Sequence, residues 1–169
     1  TASSKVVLDS GIVFPAGCII KVVPPTVTVE TNALTTSYVN YHEVSITLES
    51  NSSNVMILHQ FTYNLGNNEG FGQQIYRKSS ATVTTSDTSV FNSGAADGTG
   101  PTQYFNPAGT SGNEFGTGFT HAHDVITGQN AGDTLYYGFF YAKRNGTVSV
   151  PSANNTNGYF ATTLFEIQK

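Results

Sequence analysis

Residues Val44–Leu65 read VSITLESNSSNVMILHQFTYNL. In the first half Val44, Ile46 and Leu48 alternate with Ser45, Thr47 and Glu49, the two-residue period of a strand with one buried face. The polar run Glu49–Asn54 interrupts it. A second strand follows, in which Val55, Ile57, His59, Phe61 and Tyr63 share one face and Met56 and Leu58 lie on the other. Two such strands across a short polar turn predict a hairpin, apolar enough to centre a core. His59 on that apolar face is expected to be a core histidine whose ring nitrogens are hydrogen-bonded.

The same period recurs outward from this stretch. Strands are expected at Val6–Leu8, Cys18–Val23 (stopped by Pro24-Pro25), Thr26–Thr31, Tyr38–Glu43, Gln73–Lys78 and Phe119–Ile126. Thr134–Arg144 is the most aromatic, with Leu135, Tyr137, Phe139 and Tyr141 on one side and Tyr136 and Phe140 on the other. Asn145-Gly146 is a type I′ hairpin signal that should return the chain through Thr147–Val150. Tyr159–Ile167 is apolar on both faces. No sustained helical period occurs. Strands of this number and spacing predict an all-β fold, an antiparallel β-sandwich of jelly-roll type. Residues 1–17 read as a connector from an upstream region of a longer polypeptide, and residues 18–169 as the domain. Within it, residues 92–118 hold seven glycines and two prolines and form a long loop without period.

Composition narrows the function. Only 11% of the 169 residues are charged, against roughly 25% in average globular proteins, and Ser, Thr, Asn and Gly supply the polar surface instead. That surface suits an extracellular or particle-borne β-protein. A net charge of −4 without a basic stripe argues against nucleic acid as a partner. No apolar run reaches the roughly 18 residues of a spanning helix, and membrane insertion is not expected. Cys18 is the only cysteine, which excludes an intrachain disulfide and a cysteine metal cage and leaves burial as a small apolar residue.

Enzymatic motifs do not assemble. A zinc hydrolase of the H-x-H-x-D-H type would need Asp and His where Val125 and Ile126 stand. A cupin would need a glutamate near Thr127-Gly128. H-E-x-x-H, G-x-S-x-G and the phosphate-cradling G-x-x-x-x-G-K are absent, and the scattered acids fix no glycosidase pair. The chain is therefore expected not to be an enzyme. His121-Ala-His123-Asp124 is the sharpest local signal, because residues two apart in a strand point the same way and two imidazoles can grip one ion. Against this stands the plainer reading of two hydrogen-bonded or exposed histidines on a strand. In the long loop, Tyr104, Phe105, Asn106, Asn113 and Phe115 combine ring faces with amides. They either read a glycan or protein receptor or pin the loop to the sandwich.

VVLDSGIVFPAGCIIKVV, VSIT…NSSNVMIL, TLYYGFFYAKRNGTVSV and the terminal TLFEI resemble a C-terminal β-domain of virion proteins from tailed bacteriophages, especially marine ones. The resemblance runs from Val6 to Ile167. It implies a non-enzymatic structural module at the virion surface, the end of a tail fibre or another appendage. It further implies a homotrimer, contacts with other virion proteins and with a host receptor, and no cofactor other than a structural transition metal. Such a metal would sit where His121 and His123 of three chains meet on a three-fold axis, as in some phage fibres. The residues 92–118 insertion departs from the family pattern. The alternative is a secreted lectin-like carbohydrate-binding module.

Overall fold

The alternation in the chain becomes nine strands: β1 Ile19–Val29, β2 Val39–Thr47, β3 Ser53–Leu65, β4 Gly70–Lys78, β5 Thr88–Asn92, β6 Gln103–Phe105, β7 Glu114–Asp124, β8 Thr134–Asn145 and β9 Tyr159–Gln168. They come from a computed structural model that describes residues 15–30, 32–66, 69–92, 103–105, 114–151 and 158–169. No helix occurs among these residues. The expected strand Val6–Leu8 lies outside them.

All pairings are antiparallel, and they form two sheets. The first has the order β1-β9-β3-β7 and the second β2-β8-β4-β5, with β6 continuing beside β4. Successive strands β1 to β4 alternate between the sheets, and β7, β8 and β9 do so again. This is the two-sheet weave of an eight-stranded jelly roll, with the short β6 added to it. The all-β sandwich read from the sequence is the observed fold.

The turn at Glu49–Asn54 corrects the expected hairpin. β2 pairs with β8, whereas β3 pairs with β7 and β9, so this turn carries the chain from one sheet to the other. Val44, Ile46 and Leu48 thus enter the same core as Val55, Ile57 and Phe61 from the opposite sheet rather than from an adjacent strand. Each such side chain contributes about 1.5–3 kcal/mol on full burial, so facing layers gain what adjacent strands could not. The crossing is held by Glu166 of β9, which is fully buried. Its carboxylate accepts the Glu49 N–H at 2.9 Å, the Ser50 N–H at 3.0 Å and the Ser53 hydroxyl at 2.6 Å.

Three other expectations change. Pro24-Pro25 does not stop a strand: β1 runs through it with a register shift between Val23 and Thr26. An edge strand tolerates the missing N–H groups. Asn145-Gly146 turns the chain, with Gly146 at φ 67°, but Thr147–Val150 does not return along β8. Ser149 bridges Ala33 and Asn64 instead. Part of the 92–118 stretch is strand: β6 pairs with β4, and β7 begins at Glu114 beside Leu65. β8 is buried on both faces. Its inner rings, Tyr137, Phe139 and Tyr141, are in the core, while Phe140 on the other side packs with Tyr76 and Val83. The second aromatic face is therefore covered by the chain itself. Cys18 is only half-buried.

Candidate functional site

β9 is the key to the first sheet because it lies inside it. Its residues alternate between buried Phe160, Thr162, Leu164 and Glu166 and half-exposed Tyr159, Ala161, Thr163, Phe165 and Ile167. Residues paired across an antiparallel ladder lie on the same face, so the register maps the outward side. One row runs Val22, Phe165, Met56, His123; the next holds Thr163, Leu58, His121; a third runs Val27, Ala161, Gln60, Phe119. Exposed apolar side chains concentrate here: Ile19, Val22, Val27 and Val29 on β1, Leu58 on β3, Phe115 and Phe119 on β7, and Val125 just after it.

β7 shows the peculiarity of this face most plainly. Its inward residues are small or polar, namely Gly118, Thr120, Ala122 and Asp124, all buried. Its outward residues are Phe119, 69% exposed, His121, His123 and, just beyond, Val125, 62% exposed. An antiparallel sheet with one wet face normally places its apolar residues inward. Here the order is inverted.

The sequence grouped Phe119, His121, His123 and Val125 on one face, and they share it. That face is the outer one. His121 and His123 are exposed side chains standing beside Leu58 and Met56. Among the described residues, no cluster of three His, Cys, Asp or Glu side chains forms within one chain. Any ion held by this pair would need ligands from other copies. Asp124 takes no part, because it points into the sandwich. There both its carboxylate oxygens accept from Arg77 Nη1 at 2.8 Å, and Oδ2 accepts from the Tyr137 hydroxyl at 2.8 Å. Burial, and then the Asp124 charge, push the Tyr137 phenol well above its ordinary range.

The candidate receptor residues divide. Tyr104 and Phe105 belong to β6 of the second sheet, while Phe115 stands exposed on the outward face of the first. Asn106 and Asn113 lie outside the described residues. A separate polar cleft of about 530 Å³ opens beside the end of β4. Arg77, Lys78, Ser79, Ser86, Asp87, Thr88 and Gln129 line it beside Leu135. The sequence reading missed this cleft, since hydroxyls from two separate segments and an amide from a third give no local signal. It also missed the outward patch as a unit, although Met56, Leu58 and the two-faced β9 were legible parts of it.

No family model matches the chain, and no curated protein matches it. Among solved structures it is weakly similar to a chain in the structure of infectious bursal disease virus Gt strain, at 10% identity and a TM-score of 0.31, over 98% of this chain and 47% of that one. It is likewise weakly similar to one in the structure of the Gx strain, at 12% identity and a TM-score of 0.29, over 97% and 45%. The chain spans about half the length of these viral chains.

Proposed function

We propose that this chain is a structural β-domain of a virion, the C-terminal module of a phage tail fibre or comparable appendage, and that it assembles as a homotrimer through the outward face of its first sheet. The observation that carries the reading is the inversion of β7, whose largest apolar side chains face away from the core. Contiguous exposed apolar surface of this kind marks an interaction site. The weakly charged, hydroxyl-rich remainder of the surface and the phage-like phrases of the sequence support a particle-borne protein without catalytic machinery. Receptor contact falls to the region around residues 92–118.

Light scattering after size exclusion tests the assembly. The expected result is a trimer at micromolar concentration, and a monomer for Leu58→Glu combined with Phe119→Glu, with unchanged circular dichroism. A wild-type chain that stays monomeric would end this reading. Placement on a particle is checked separately by mass spectrometry of purified virions from the native source.

The polar cleft favours a second reading, a lectin-like module. Hydroxyls, an amide and charges of both signs suit a saccharide better than an apolar ligand. An oligosaccharide array probed with wild type and Ser86→Trp would show binding lost in the variant. Silence of both on the array removes this alternative.

A further inference from the structure

A chain of hydrogen-bonded side chains crosses the interior from β1 to β7. His42 on β2 places Nδ1 3.4 Å from Thr28 Oγ1 and Nε2 3.0 Å from Thr162 Oγ1. The same Thr162 oxygen lies 2.7 Å from His59 Nδ1, and His59 Nε2 lies 2.6 Å from the Tyr141 hydroxyl. Gln73 Nε2 donates to that hydroxyl at 2.7 Å, and Gln73 Oε1 accepts from Thr120. The links pass between the two sheets four times: Thr28 to His42, His42 to Thr162, His59 to Tyr141, and Gln73 to Thr120.

A neutral imidazole donates from one ring nitrogen and accepts at the other, and in this chain the nitrogens of both rings are matched to hydroxyls. Whichever way the hydrogens run, each neutral ring keeps one lone pair that receives an O–H. A further proton on either ring meets that O–H.

Among the described residues, no carboxylate is hydrogen-bonded to either ring to compensate such a charge. The two rings are 5% and 1% exposed, with centroids 5.7 Å apart, and Phe139 and Phe160 pack against both. The titratable groups facing them in the chain of contacts are each other and Tyr141. Glu166 lies four residues along β9 from Thr162, and Asp124 with Arg77 four residues along β7 from Thr120. Each is about 13 Å of strand away. Glu43, next to His42, faces outward, where its carboxylate accepts from the N–H groups of Thr82 and Val83.

We propose that this hydrogen-bonded chain is an acid-released lock, which ties the two sheets together while its histidines are neutral and lets them separate when His42 and His59 take up protons. Burial lowers His42 to about 4, and burial followed by the His42 charge lowers His59 well below its ordinary value. The unfolded chain then binds protons that the native one refuses, and stability falls as pH drops below about 6.5.

Urea unfolding of the wild-type chain at pH 7.5 and 5.0 tests this above the carboxylate range. The unfolding constant should rise about 30-fold per ring, about 1,000-fold for the two. In His42→Gln combined with His59→Gln the rise should shrink below about tenfold. Nitrogen-15 spectra of wild-type histidines keep the test open where that variant fails to fold. They should show each buried ring as a single neutral tautomer, uncharged at pH 5 while the fold persists. A wild-type rise below about tenfold, or a buried ring charged at pH 5 in the folded chain, would overturn the lock.

Discussion

Arg77 and Asp124 join the two sheets: Arg77 Nη1 on β4 sits 2.8 Å from both carboxylate oxygens of Asp124 on β7. Their side chains are 12% and 7% exposed, and removing one partner leaves the other charge stranded. Asp124→Asn is expected to cost about 3–5 kcal/mol. Arg77→Met with Asp124→Leu and Tyr137→Phe, which also removes the hydroxyl bonded to Asp124, should recover most of that loss, because apolar packing replaces a network that was costly to desolvate. Urea denaturation of both variants measures it. Equal losses would mean that the pair is net stabilising.

Thr162 has a junction role that its methyl group cannot fill. Thr162→Val deprives both His42 and His59 of a hydrogen-bond partner, at about 1–3 kcal/mol for each buried group left unpaired. Thr162→Ser keeps the hydroxyl and should cost less than about 1 kcal/mol, chiefly for the missing methyl. Thermal melting at pH 7.5 separates the two, and indistinguishable melting temperatures would show that the hydroxyl is dispensable.

Glu166 organises the sheet-to-sheet turn. Glu166→Gln keeps the shape but aims an NH₂ at N–H donors, and should cost about 2 kcal/mol. Amide hydrogen exchange at Glu49 and Ser50 should quicken more than at core strands. Uniform acceleration would place the effect on global stability instead.

How much of this was legible depends on what a period of two can report. It found β2, β3, β8 and β9, because each alternates or is continuously apolar over its length. It could not name partners: Val44–Glu49 and Val55–Tyr63 look like a hairpin whether they pair or face each other across a core. The buried acceptor at Glu166, more than 110 residues downstream, helps to hold the turn as a crossing. The same period put His121 and His123 on one side of β7, but inside and outside are set by which side finds room. Large side chains of the neighbouring β3 and of the facing sheet fill the interior, and β7 adds only small or polar residues such as Thr120 and Ala122 to it. His42 went unread because its partners Thr28, Thr162 and His59 come from three other strands.

His121 and His123 provide the metal test. Around a three-fold axis these exposed pairs would supply six imidazoles, and neutral imidazole is the ligand form. Elemental analysis of purified trimer should find up to one transition ion per three chains. His121→Ala with His123→Ala should lower the melting temperature of the trimer, and a chelator should do the same to wild type only. A metal-free trimer indifferent to both treatments rules out the ion.

Pro24 and Pro25 settle how copies of this domain cannot meet. They lie exposed in the middle of β1, at the open margin of the first sheet, and two successive residues there have no N–H to offer. A strand arriving alongside would find a gap in the ladder and a kinked track. Growth of one sheet into the next, the route to fibrous aggregates, is blocked at that margin. A neighbour reaching that margin meets side chains in place of a free ladder.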